Sequence, residues 1–227
     1  MKHNITLLVL THKDSGTIFK SIDSFKNMVS NNLHTIIGYD NHNDDIYKKK
    51  LEDFCKKNDC ELVVTDNANL SYNVINSIKH IKTKYIFVLE HDWIFNKKIY
   101  LNKILRLFEN NEDINYIRFN KRKSTIQEKG TFDKTLEKTN IDGIDLLKVW
   151  SYSGNPHIVR TEFLKNMVIP LTKSSEWLEH KHRGIEKPIT LFIKRKQLRF
   201  GNDKSHKMFG TYIYGKFNEE PYVTHIG

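Results

Sequence analysis

The chain has almost no cysteine, no long apolar run and neither of the familiar glycine-rich nucleotide motifs, and each absence removes a class of function. Only Cys55 and Cys60 occur among 227 residues. They stand too far apart for a redox C-x-x-C, and no second pair completes a zinc site, so they read as two reduced thiols around a helix end. No apolar stretch reaches the roughly 18 residues of a membrane span, and the opening Ile5-Thr6-Leu7-Leu8-Val9-Leu10 is too short for a signal-peptide core with its cleavage site. The expectation is a cytoplasmic chain that begins as a folded strand. G-x-G-x-x-G and G-x-x-x-x-G-K-S/T are both missing, which leaves dinucleotide and P-loop readings without support. No internal repeat and no low-complexity tract interrupts the sequence.

What is present is bulky apolar material and positive charge. With 13 Phe and 10 Tyr in a chain that is 38% hydrophobic, there is enough to bury against chain entropy despite a mean hydropathy of -0.58. The length suits one domain with a substantial core. Lys and Arg outnumber Asp and Glu by 37 to 27, a net +10 that fits a phosphate-bearing partner without choosing among nucleotide, nucleic acid and anionic membrane. Much of the lysine, as in Lys48-Lys49-Lys50 and Lys56-Lys57, falls in helical patterns where a solvated face explains it.

The first half alternates short apolar runs with amphipathic stretches, the pattern of βα units and a mostly parallel sheet. Strands are expected at Ile5–Leu10, Thr35–Tyr39, Glu61–Thr65, Tyr85–Leu89 and Tyr116–Phe119. Helices are expected through Ile18–Val29, Tyr47–Lys57, Tyr72–Ile81 and Ile99–Phe108. The strongest strand, Tyr85-Ile86-Phe87-Val88-Leu89, is apolar throughout, as a central strand buried on both faces would be. Polar clusters follow the strands at Thr11-His12-Lys13-Asp14, at Asp40 to Asp45, at Asp66 to Asn69 and at Glu90-His91-Asp92. Ligands of open α/β sheets sit beyond the carboxyl ends of strands, so these clusters locate a site. Residues 120–145 are charged and weakly periodic and read as an excursion or small hairpin. Beyond them a helix is expected from about Thr161 to Met167, another opens at Glu186-Lys187-Pro188 with proline in its first turn, and Gly210 to Gly227 is strand-like.

Glu90 and Asp92 are two apart at a strand end, which points both carboxylates the same way if the extended geometry persists, and leaves His91 facing away. Two such acids at the mouth of a site repel unless a cation holds them, and Mg²⁺ or Mn²⁺ is typically bound by one or two carboxylates together with substrate phosphates. An acid-x-acid triplet alone is weak, and its position after the strongest strand is what gives it weight.

From these residues the chain resembles the GT-A glycosyltransferases, particularly the family 2 type and its small relatives in large DNA viruses. In that family an Asp-x-Asp at this strand end binds the metal, after a segment that leads through Ala-x-Asn into a helix. Here Asn69-Leu70-Ser71-Tyr72-Asn73 precedes a helix and then Tyr85 to Asp92. The resemblance covers residues 4–120 well and the remainder through scattered features. It implies a single GT-A domain with a Rossmann-like central sheet flanked by helices, residues 1–120 forming the nucleotide-sugar half and 121–227 the acceptor half. It implies that Thr11 and His12 lie at the nucleotide with Asp40 near its base, that Asn73 lies along the nucleotide wall, and that Asp92 ligates Mn²⁺ or Mg²⁺. Glu90 departs from the family's first Asp, and its longer side chain would reach the ribose or a metal-bound water. His225 would be a further metal ligand from the tail. Ser153-Gly154-Asn155-Pro156-His157 resembles the acceptor-side turn, and Trp150 and Trp177 are candidates to stack on a sugar. Glu186 is the implied catalytic base of an inverting reaction, with Gly184 allowing close approach; Glu176 and Glu179 compete with it.

The implied function is metal-dependent transfer of a sugar from a nucleoside diphosphate, UDP first, to a hydroxyl on a glycan acceptor. A sugar-phosphate nucleotidyltransferase is the rival enzyme, but Thr11-His12-Lys13-Asp14-Ser15-Gly16 lacks the Gly- and Arg-bearing loop it needs. A basic nucleic-acid-binding module is the rival outside enzymes, and it requires surface aromatics interleaved with Lys and Arg, whereas the aromatics here fall mostly at apolar periodic positions.

Overall fold

The computed structural model describes residues 4–13, 16–30, 33–41, 43–66, 69–123, 136–173 and 185–227. The chain opens as β1 (Ile5–Thr11), α1 (Ile18–Met28), β2 (His34–Asp40), α2 (Asp45–Asn58), β3 (Cys60–Thr65), α3 (Leu70–Ile78) and β4 (Tyr85–Glu90). A three-residue strand β5 (Trp93–Phe95), α4 (Leu101–Asn110) and β6 (Tyr116–Arg118) follow. The second half contains β7 (Glu137–Ile141), β8 (Ile144–Lys148), β9 (His157–Arg160) and α5 (Thr161–Phe163), then a π-helical turn over Leu164–Val168 and α6 (Ile169–Lys173). It ends in α7 (Glu186–Phe200), α8 (Asn202–Phe209), β10 (Thr211–Tyr214) and β11 (Val223–His225). Among the described residues, no helix is long and apolar enough to cross a membrane.

Nine strands form one sheet in the order β3-β2-β1-β4-β9-β6-β10-β8-β7. The β3-β2-β1-β4 portion is parallel, as the βα alternation predicts. Beyond β4 the sheet becomes mixed, because β9 from the second half inserts antiparallel between β4 and β6. The two halves therefore share one sheet. The end of the charged excursion forms the β7-β8 hairpin on the sheet edge, and its residues 124–135 lie outside the described residues.

Period-two alternation sorts the core onto the two faces. Leu7 and Val9 of β1 and Tyr85, Phe87 and Leu89 of β4 join Phe25 of α1, Tyr47 and Leu51 of α2 and Phe108 of α4. Leu8, Leu10, Ile86 and Val88 face the other way, against Val74 and Ile78 of α3 and Ile189 and Ile193 of α7. Continuing the alternation past Val88 aims Glu90 at the α3–α7 side, which is where the site lies. Gly38 in β2 allows the layers to close: a Cβ there would stand 2.4 Å from Ser77 Oγ and 2.5 Å from Asn73 Oδ1 of α3.

Candidate active site

The carboxyl end of β4 is fixed before any ligand arrives. His91 N donates to Leu10 O at 3.0 Å, and the chain turns at His91–Asp92 before re-entering as β5. The extended geometry assumed for Glu90-x-Asp92 thus ends at Glu90. Ser21, fully buried on α1, locks the turn: its hydroxyl accepts from Trp93 N at 3.0 Å and lies 2.9 Å from His91 O and 2.6 Å from Trp93 O. Sequence reasoning missed this residue. Its signal was a hydroxyl on the apolar face set by Ile18, Ile22 and Phe25.

The tail folds back over this turn. β11 pairs antiparallel with β5, setting His225 opposite Trp93, and Ile226 N donates to Asp92 O at 2.8 Å. His225 Nε2 stands 2.9 Å from Asp92 Oδ2, with the imidazole edge-on to the Trp93 ring at 4.9 Å. Asp92 Oδ1 is buried without a hydrogen-bond partner among the described residues. An orphaned carboxylate oxygen beside an imidazole is a donor set that Mn²⁺ or Mg²⁺ accepts when phosphate and water complete the shell. No group of three or more His, Cys, Asp or Glu suited to a metal occurs among the described residues, which contribute this pair.

A cavity of about 270 Å³ opens beside the turn. Leu10, Leu70, Val74, Val88, Leu164 and Ile185 form its apolar wall, and Glu90, Lys121, Gly154, Glu186 and His225 supply its polar rim. Glu186, the first residue of α7, accepts a hydrogen bond from Gly154 N. A Cβ on Gly154 would lie 2.6 Å from Glu90 Oε1 and 3.1 Å from Glu186 Oε1, so two carboxylates from the two halves of the sequence converge on one glycine. Burial, with Asp92 and Glu186 adding to it and Lys121 opposing, pushes the Glu90 carboxyl up to about 8. At neutral pH in the ligand-free chain Glu90 therefore holds a proton.

The loop bearing Gly154 is held from below. Thr190 Oγ1 of α7 accepts from Tyr152 N at 2.9 Å and donates to Tyr152 O at 3.0 Å. His157 Nδ1 donates to Asn155 O at 2.7 Å, leaving Nε2 to accept from Tyr152 OH at 3.3 Å. Burial carries the His157 imidazole down to about 4, the nearby Arg118 cation adding to the effect and the Asn155 carbonyl opposing it. Burial also holds the Tyr152 phenol well above its ordinary range. Both side chains are neutral hydrogen-bonding parts of the scaffold.

The residues singled out from the sequence divide into two sets. Glu90, His225 and Glu186 line the cavity, Asp92 pairs with His225 at 2.9 Å, and all four keep accessible surface. His12 is half-buried, its ring edge-on to His91 at 4.9 Å. Thr11, Asp40 and Asn73 are buried at the ends of β1 and β2 and in α3. Thr11 Oγ1 pairs with Tyr47 OH at 2.6 Å, and Asn73 Nδ2 donates to Gly38 O at 2.9 Å and Thr11 O at 3.3 Å. These hydrogen bonds tie β1 and β2 to α2 and α3. Trp150 is core, donating from Nε1 to Ser205 Oγ at 3.0 Å. Glu176, Trp177, Glu179 and Gly184 lie outside the described residues.

Residues 6–168 match the family described as glycosyl transferase family 2, well over half of the chain. Among solved structures, the crystal structure of GalNAc-T7 with UDP, GalNAc and Mn²⁺ is similar over 98% of this chain and 44% of that one, with a TM-score of 0.65 at 11% identity. S. aureus TarS is similar over 100% of this chain and 37% of its own, at TM-score 0.57 and 12% identity. S. aureus TarS 1-349 in complex with UDP is similar over 78% and 53%, at TM-score 0.51 and 14% identity. Likeness at these identities is a likeness of fold, the GT-A type, and the chain spans 37 to 53% of the length of these solved chains. No curated protein matches the sequence significantly.

Proposed function

The chain belongs to glycosyl transferase family 2, and on that footing we propose that it transfers a sugar from a nucleoside diphosphate, UDP first, to a hydroxyl of a glycan acceptor with inversion at the anomeric carbon. The observation that carries this reading is the convergence of Glu90 and Glu186 on Gly154 in the same cleft as the Asp92–His225 pair. UDP in two of the similar structures supports the choice of nucleotide.

In this reading residues 1–120 carry the donor and residues 121–227 the acceptor. The base is Glu186: its carboxylate, oriented by Gly154 N–H, takes the proton from the acceptor hydroxyl as that oxygen bonds to the anomeric carbon and the diphosphate departs. Glu90, whose carboxyl lies beside Gly154 on the cavity rim, hydrogen-bonds a hydroxyl of the donor. Lys121, on the cavity rim, adds positive charge beside the departing phosphates. Asp92 and His225 would hold Mn²⁺ or Mg²⁺, whose chemistry there is Lewis-acid stabilisation of the diphosphate leaving group. The apolar wall excludes water from the reacting centre.

Calorimetry with UDP, first in EDTA and then with Mn²⁺, tests the donor site. Tighter binding with Mn²⁺ is expected, and Asp92→Ala should abolish the difference; equal affinity in both buffers would refute the metal role. Glu186→Gln should lower turnover by about a hundredfold to ten-thousandfold with UDP affinity retained. Near-normal turnover in that variant, or a product keeping the donor's anomeric configuration, would remove Glu186 as base.

A further inference from the structure

The far end of α7 and the helix that follows carry a surface the transfer reaction does not use. Between residues 194 and 208 there are six Lys and Arg and one acid, Asp203. On α7, Arg195, Leu198 and Arg199 share the outward face at helical spacing, and all three are exposed. On α8, Lys204, Lys207 and Met208 repeat the arrangement, again all exposed. Leu198 is 89% exposed and Met208 46%, and they are two of the four large apolar side chains that stand exposed among the described residues. Gly201, at φ 79°, makes the turn that sets the two helices side by side. Between them Phe200 lies under three cations, Lys196 at 5.6 Å, Arg199 at 5.1 Å and Lys204 at 5.2 Å from its ring.

We propose that the α7–α8 tip is a docking surface for an anionic lipid bilayer. Cations ringing protruding aliphatic side chains match a layer of acidic headgroups over hydrocarbon: the arginines and lysines meet phosphate while Leu198 and Met208 enter the acyl boundary. The same side chains make poor readers of nucleic acid. Leu198, 89% exposed, is a side chain for which a phosphate backbone offers nothing, and the Phe200 ring is already covered by cations instead of open for stacking. Self-association through this face is opposed by its own charge.

The placement also orients the enzyme. Glu186 begins α7 and the basic tip ends it, so Glu186 and Leu198 stand about 18 Å apart along the helix axis. A chain docked by the tip holds its cleft off the bilayer, within reach of the outer sugars of a membrane-anchored acceptor.

Sedimentation of the full chain with phosphatidylglycerol–phosphatidylcholine vesicles, against pure phosphatidylcholine vesicles, tests the surface. Binding to the anionic vesicles alone is expected, weakening as salt rises. Arg195→Gln/Arg199→Gln should weaken it about 30-fold, and Leu198→Ala/Met208→Ala about tenfold. All four side chains are solvent-facing, and thermal melts of both double variants should match the parent. Parent protein that stays in the supernatant with anionic vesicles overturns the proposal. So does an apolar double variant that binds them as tightly as the parent, and tight binding of duplex DNA alongside that result would make the face a nucleic-acid surface instead.

Discussion

Protonating His157 should dismantle the loop that aims Glu186. The imidazole is buried, with both nitrogens engaged by Asn155 O and Tyr152 OH, and is carried from 6.5 down to about 4. In the unfolded chain it takes up its proton near the ordinary value, so between pH 6.5 and 4 the unfolded state binds more protons than the folded one. The stability held by the neutral ring is complete above pH 6.5 and is lost as pH falls toward 4, an amount of about 3 kcal/mol. His157→Asn retains a donor for Asn155 O but leaves Tyr152 OH without its acceptor, which lowers stability at pH 7 by about 1–3 kcal/mol. Urea melts of both proteins from pH 4.5 to 7.5 give the comparison. The parent should lose stability steeply across that window and the variant much less, with parent turnover falling on the same limb. Parallel pH profiles for parent and variant would refute the assignment of His157 as a neutral buried brace.

Glu90→Gln should act in the opposite pH range: stability that the protonated Glu90 contributes is present below pH 4.5 and lost as pH rises through about 8, so in EDTA the variant should gain on the parent at pH 8–9 and not at pH 4. Gly154→Ala drives a methyl between the two carboxylates, at 2.6 Å and 3.1 Å, and turnover should fall more than about tenfold while UDP affinity and melting temperature change little. Ser21→Ala leaves Trp93 N without its acceptor and should lower stability by about 1–3 kcal/mol in chemical melts. His225→Ala should weaken Mn²⁺-dependent UDP binding with little change in melting temperature; unchanged binding would remove it from the metal's ligands.

The parallel half of the sheet was legible because Leu7 to Leu10 and Tyr85 to Leu89 are apolar on both faces, a local signal that survives any tertiary context. The mixed half was not. β9 is four residues long, and nothing in His157-Ile158-Val159-Arg160 states that its neighbours are β4 and β6, since those pairings join residues about 70 and about 40 positions apart. β5 and α8 escaped for a similar reason: three residues hold no periodicity, and α8 buries a single apolar residue, Phe209, while its Met208 is exposed. In the site, Glu90 and Asp92 were readable as acids at a strand end, whereas His225 and Glu186 entered through the family resemblance. The buried state of Thr11 and Asn73 was not readable, because it depends on Gly38 leaving room for the α3 amide, a contact between three segments.

The insertion of β9 has a consequence for how the chain comes off the ribosome. β4 pairs on one side with β1, which is already made, and on the other only with β9, whose first residue follows the end of β4 by 67 positions. At roughly 5–20 residues per second, its most apolar strand waits about 3–13 s with one edge open. During synthesis that edge is a template for any passing strand, and holdase chaperones have their natural target there. Slowing translation between residues 90 and 157 should raise the aggregated fraction without altering the stability of the finished protein.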